Sequence, residues 1–186
     1  MANRLTKIVT RTGDDGTTGL GDGTRVGKDS PRVHAMGELD ELNSAIGCVL
    51  AEEVPEAVAE ALSAVQNDLF DLGGEICIPG RSALWDAHLE EIERRIEKLR
   101  EPLAPLKEFV LPGGTRAAAM CHLARAVCRR AERALVALGR VEGISELSIR
   151  YMNRLSDLLF LAARSINAAA GAPESLWNPG RERDET

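Results

Sequence analysis

The chain has 186 residues, 44% hydrophobic and 28% charged, the balance of a globular protein long enough for one sizeable core. Its net charge of -6 argues against a general binder of nucleic acid or of anionic membrane, and no apolar run reaches the ~20 residues of a bilayer span. Aromatic residues make up only 3%, so the core must be built from Leu, Ala, Val and Ile, which points towards packed helices.

In chain order, a short strand is conceivable at Lys7 to Val9, and no other stretch alternates as a strand should. Residues 10–23 carry glycines at 13, 16, 19, 21 and 23 among threonines and aspartates, and residues 1–30 read as a loop with little to bury. Helical periodicity begins at Pro31, with Ser30 or Asp29 as cap, and continues through Leu39, Leu42, Ile46 and Val49. A second helix starts near Pro55, carries Val58, Leu62, Val65, Leu69 and Leu72, and is predicted to end at Gly73 and Gly74. After the connector CIPGRSALWD, Asp86 is expected to cap a charged helix with a narrow stripe of Leu89, Ile92, Ile96 and Leu99. Glu90–Arg94 and Glu91–Arg95 are its natural i,i+4 pairs. The proline-rich stretch PLAPLKEFVLPGG connects to a helix over Thr115 to Leu138, and the last helix spans Ser145 to Ala170. The tail after Gly171 is turn-rich, then charged, with a frayed end. The expectation is an all-α, five-helix bundle in one domain: a loop at 1–30, the bundle at 31–171 and a tail at 172–186.

Four cysteines, Cys48, Cys77, Cys121 and Cys128, show no CxxC spacing, and the N-terminus lacks a secretory apolar segment. A reduced, cytoplasmic compartment is expected, with Cys121 and Cys128 acting as small apolar residues.

Three stretches carry chemistry. The glycine-rich loop can turn backbone amides towards phosphate oxygens, helped by Lys28 and Arg32. Asp14, Asp15 and Asp22 oppose this unless a divalent cation intervenes, and a flexible polar arm is the plain alternative. In RAVCRRAER, Arg125, Arg129, Glu132 and Arg133 share one stripe, Arg130 lies to the side, and Val127, Ala131, Ala134 and Leu135 face inward. Arginines outnumber lysines 19 to 4 in the chain, and arginine is the residue for bidentate phosphate or carboxylate contact; a solvated basic face is the alternative. In YMNRLSDLLF, Asn153 and Asp157 share a face suited to a ribose or a base, with plain bonding to a neighbouring helix as the alternative, and Asp40, Glu41 and Asn43 in GELDELNS read equally as a solvated helix face. His34, His88 and His122 are too scattered for a zinc site or a Ser–His–Asp triad, so no metal ligand is expected from the protein.

With these motifs in order (the loop TRTGDDGTTGLGDGTRVGKDSPRV, then GELDELNS, FVLPGG, RAVCRRAER and YMNRLSDLLF), the sequence resembles the PduO-type ATP:cob(I)alamin adenosyltransferases from about Thr10 to Phe160. The resemblance implies a homotrimer with ATP held between subunits. Thr10, Arg11, Thr12, Gly13, Asp14, Asp15, Gly16, Thr17, Thr18 and Gly19 would wrap the triphosphate, with Lys28 adding charge. Arg129, Arg130, Ala131, Glu132 and Arg133 would hold phosphate from the fourth helix, and Asn153 would meet the nucleotide from the fifth. Arg125 would pair with Asp40 across subunits, and Phe109 would crowd the lower face of the corrin, favouring loss of the axial ligand. Asp15 stands where the family often has lysine. The implied substrates are ATP with Mg²⁺ and cobalamin. A cob(II)alamin reductase and an adenosylcobalamin-dependent enzyme are conceivable partners, and nucleic acid and membrane are not. A nucleotide-sensing module without transferase activity and a purely scaffolding trimer are the competing readings.

Overall fold

The computed structural model describes residues 9–180. Five helices form the bundle: α1 (Pro31–Leu50), α2 (Glu56–Cys77), α3 (Asp86–Arg100), α4 (Arg116–Gly139) and α5 (Glu146–Ala169). Helix α4 packs most extensively against α1 and α5, α3 lies against α5, and α2 lies against α1, so the helices form a ring that α2 and α3 close. The α4 seam is made of small residues (Ala118, Cys121, Ala124, Cys128 and Ala131, all fully buried), which lets neighbouring backbones approach closely. Burial pushes the Cys121 thiol up to about 12 and raises that of Cys128 as well, and their Sγ atoms donate to the Leu159 and Met152 carbonyls. Both are core residues, as the seven-residue spacing predicted.

Three helix starts follow from their caps. Ser30, Thr115 and Ser145 each accept a backbone N–H from Val33, Ala118 and Leu147, respectively. Three local expectations are corrected. Helix α2 does not stop at Gly73 and Gly74 but runs to Cys77. Two internal glycines cost roughly 2 kcal/mol of helix propensity, which tertiary contacts of the last turn offset. There Ile76 is buried, and the Glu75 carboxylate accepts from Ser148 Oγ at 2.5 Å and from the Ala83 N–H at 2.8 Å. Asp86 is the first residue of α3 rather than its cap; Trp85 takes the cap position, and its N–H donates to His88 Nδ1 at 3.1 Å. Glu91–Arg95 forms at 2.6 Å as expected, but Arg94 turns to Glu91 at i,i+3 rather than to Glu90.

The loop also holds a hairpin that periodicity did not reveal. Strands β1 (Thr17–Gly19) and β2 (Arg25–Gly27) pair antiparallel, with Thr18 opposite Val26. Three-residue strands are too short to show alternation; the signal was the turn, where Asp22 accepts from the Thr24 N–H and hydroxyl. The conceivable strand at Lys7 to Val9 and the charged end at 181–186 lie essentially outside the described residues. The tail is docked from Glu174 to Trp177: Leu176 forms a β-bridge with Val110 of the connector between α3 and α4, and the Trp177 N–H donates to the Phe109 carbonyl. No helix among the described residues is long and apolar enough to cross a membrane.

Candidate functional site

The loop is tied together by its own hydrogen bonds. Its base is tied to the bundle where the Gly21 N–H donates to the Cys77 carbonyl at 2.9 Å. Gly16 sits at φ +83, left-handed backbone that a side chain would strain, and its carbonyl receives the Lys28 N–H at 2.9 Å. Lys28 folds back over the turn, its Nζ donating to the Gly13 carbonyl at 2.7 Å. Asp15, the departure from the family's lysine, accepts from Thr17 through both backbone N–H (3.0 Å) and hydroxyl (2.8 Å), with Arg25 at 3.6 Å. Those hydrogen bonds, then Arg25, hold its carboxyl below the usual range. Asp15 is thus a turn-forming carboxylate already satisfied within the loop. Thr10, Arg11, Thr12, Asp14 and Gly19 are exposed around it, and Thr18 is half-buried.

The arginines of α4 meet three different fates. Arg130 is spent inside the chain: its Nε donates to Glu38 at 2.6 Å, and its second amino group contacts Glu41, tying α4 to α1. Glu41, then Glu38, raises its pKa further. Arg125 is half-buried, with its guanidinium 5.6 Å above the Phe160 ring, a cation–π geometry. Arg129 and Arg133 are exposed and form no ion pair with a carboxylate among the described residues; Arg133 instead donates to the Arg129 carbonyl at 3.1 Å. Ala131 is fully buried in the core, so it offers a ligand no side chain. Glu132 accepts weakly from Asn153 Nδ2 at 3.4 Å, while Asn153 Oδ1 takes a bond from Arg154 at 3.0 Å.

Arg125 and Phe109 come together in a cleft of about 620 Å³, with His122, Asp157 and Phe160 on its other walls. Asp40 lies elsewhere, in a groove between α1 and α2 beside Asn43 and Phe70, so within one chain it does not meet Arg125. Sequence reasoning missed two residues here. Phe160 ends a motif that was read only for Asn153 and Asp157. His122 is buried beside Phe160, with ring centroids 6.1 Å apart, and its Nε2 has no hydrogen-bond partner. Burial first, and Arg125 second, lower its pKa and favour the neutral ring. A signal was available: three of the chain's six aromatic residues, Phe109, Phe160 and Trp177, gather at this cleft or on its rim. Among the described residues no three His, Cys, Asp or Glu side chains cluster to hold a metal ion.

Known proteins share this arrangement along nearly the whole chain. A sequence model of the cobalamin adenosyltransferase family matches residues 8–166. A cobalamin adenosyltransferase of Cupriavidus metallidurans is 54% identical over 183 residues, covering 98% of this chain and all of that protein. The corrinoid adenosyltransferase of Mycobacterium tuberculosis is 42% identical, with 98% of each chain covered. Among solved structures, a phenylalanine-to-alanine variant of the PduO-type ATP:corrinoid adenosyltransferase from Lactobacillus reuteri, complexed with cobalamin and ATP, superposes with a TM-score of 0.86. It is 34% identical, covering 92% of this chain and 99% of its own. An arginine-to-lysine variant of that enzyme complexed with ATP gives a TM-score of 0.84 at the same identity, covering 92% and 100%. By this agreement in sequence and fold, the chain belongs to the cobalamin adenosyltransferase family.

Proposed function

We propose that this protein transfers the 5′-deoxyadenosyl group of ATP to cob(I)alamin, giving adenosylcobalamin and triphosphate. The electron pair on Co(I) attacks the 5′ carbon, the cobalt–carbon bond forms, and the bond from that carbon to the triphosphate oxygen breaks with the negative charge leaving on triphosphate. The nucleophile belongs to the substrate, so the protein supplies position and charge. The observation that carries this reading is the pair Arg129 and Arg133, which have no carboxylate partner among the described residues, on a helix where the neighbouring Arg130 has two. Two guanidinium groups on one stripe suit the oxygens of a leaving triphosphate.

On this reading the loop from Thr10 to Gly19 closes over the phosphates with Lys28, and Asn153 meets the nucleoside. The turn carboxylate of Asp15 shapes the loop without touching phosphate. Arg130 and Ala131 contribute through the helix rather than through side-chain contact with ATP. Mg²⁺ would come with the triphosphate rather than from a protein site, and it would neutralise charge on the leaving group. Phe109 packs against the corrin and disfavours its lower axial ligand, which makes a Co(II) precursor easier to reduce. Arg125 and Asp40, apart within one chain, meet across a subunit boundary in a homotrimer whose ATP sites lie between protomers.

The test is anaerobic conversion of cob(I)alamin to adenosylcobalamin, followed by absorbance, with MgATP and a sedimentation measurement alongside. Turnover by a trimer is expected. MgATP binding without corrinoid turnover would replace the transferase with a nucleotide-sensing module.

A further inference from the structure

Phe109 is three-quarters exposed, so core packing does not fix its ring. The structure instead hangs it between two anchors that meet at one buried arginine. Arg164 of α5 is 7% exposed. Its Nη2 donates to the Ala104 carbonyl at 2.9 Å, at the start of the connector that carries Phe109. Its Nε and Nη2 also grip the Glu174 carboxylate at 2.9 to 3.2 Å, in the tail. Beyond Glu174 the tail runs back along the connector. The Leu111 N–H donates to the Ser175 carbonyl at 2.8 Å, and the Trp177 N–H donates to the Phe109 carbonyl at 2.7 Å. The Trp177 indole then meets the Phe109 ring edge-on, with centroids 6.1 Å apart, Phe109's one aromatic contact among the described residues.

We infer that the tail segment Glu174 to Trp177 is a positioning element for the corrinoid side of the reaction, with Trp177 setting the Phe109 ring and the Arg164–Glu174 pair holding both strands in register. This inference rests on the adenosyltransferase reading above. The connector lines the corrinoid cleft, and the tail pairs with the connector rather than with the phosphate loop among the described residues, so their loss separates the two substrates. Trp177→Ala, Trp177→Phe and Glu174→Gln are compared with the wild type for kcat and KM towards cob(I)alamin, equilibrium binding of cob(II)alamin by absorbance, MgATP affinity by calorimetry, and thermal midpoint.

Trp177→Ala is expected to weaken cob(II)alamin binding or lower kcat by about tenfold, the upper end for one edge-to-face aromatic contact, with MgATP affinity within about twofold. Trp177→Phe restores most of the loss, because an aromatic edge remains. Glu174→Gln, which weakens the grip of Arg164 without removing an aromatic contact, reproduces part of it. Wild-type corrinoid parameters in Trp177→Ala would overturn the inference, as would MgATP affinity and corrinoid affinity falling together with the thermal midpoint. A wild type that turns over while Trp177→Ala is silent sinks only the tail's role. A wild type that binds no corrinoid and makes no product sinks the transferase reading and this inference with it.

Discussion

Helices α3 and α4 are both rich in arginine, and they use it in opposite ways. On α3 each cation finds a carboxylate: Arg94 and Arg95 share Glu91, Arg100 takes Glu97, and Lys98 reaches Glu60 of α2. On α4 Arg116 pairs with Glu52 in the first turn and Arg130 with Glu38 and Glu41, while Arg129 and Arg133 stand without such partners among the described residues. Cation density therefore does not mark the site. Glutamates one turn away make α3 a solvated, self-compensating face, whereas Glu132 on the outer stripe of α4 turns to Asn153 and pairs with neither Arg129 nor Arg133 among the described residues, which leaves charge for an incoming anion.

The most severe way to break that contrast is Arg129→Ala. Removing one donor to a developing charge costs about 10²–10³ in turnover, so kcat in the anaerobic assay is expected to collapse by that factor. Arg94→Ala and Arg100→Ala are the matched controls on α3, expected within about twofold of wild type because screened surface pairs carry little. Comparable losses on both helices would mean that the α4 arginines act through the fold rather than on triphosphate.

A third fate sharpens the contrast. Arg164 is buried and paired at once, joining the connector through Ala104 and the tail through Glu174. Breaking such a pair from one side strands the other charge and costs about 3 kcal/mol, so Arg164→Ala is expected to lower the thermal midpoint by roughly 6–12 °C. Arg164→Lys should recover only part, since one ammonium cannot replace a planar group gripping a carboxylate and a carbonyl together. An unchanged midpoint in Arg164→Ala would show that the tail is held by something other than this clasp.

Legibility from the sequence divides along the same line between local and distant partners. The cap at Ser30, the helix starts near Thr115 and Ser145, the inward face of α4, and the candidate stripe of Arg125, Arg129 and Arg133 all follow from residues within two turns of one another. The extension of α2 through Gly73 and Gly74 depends on Ser148, 73 residues beyond Glu75. The clasp joins Arg164 to a carbonyl 60 residues earlier, and Asn167 spans 52 residues to the Thr115 N–H. No periodicity encodes such pairs. Trp177 was readable only as an oddity, an aromatic in a polar tail of a chain with almost none. Asp15 was read by its charge, whereas its role is the threonine two residues on.

The loop offers a gentler probe. It is anchored at Gly21 and pinned by Lys28, but its tip from Thr10 to Asp15 is largely exposed and bonded mainly to itself. Amide exchange over residues 10–19 is expected to slow by about tenfold or more once MgATP is well above its dissociation constant, with the α3 face unchanged. Equal exchange with and without MgATP would mean that the hairpin is as ordered before ATP as after, and that the loop does not close.

The smallest effect concerns charge that the cleft avoids. His122 is buried with an unpartnered Nε2, and burial and Arg125 depress its pKa below the ordinary 6.5. The unfolded chain therefore takes up a proton before the folded one does. Stability contributed by neutral His122 is present above about pH 6.5 and is lost as pH falls through the window down to the depressed folded value. Groups facing the ring include Arg125 on its own helix and Glu174 in the tail, the latter pulling weakly the other way. In His122→Gln the melting temperature should fall less steeply between pH 6.5 and 5 than in the wild type, while the acid loss common to the carboxylates remains in both. Parallel melting curves would place the His122 ring in contact with solvent protons and remove it from the closed wall of the corrinoid cleft.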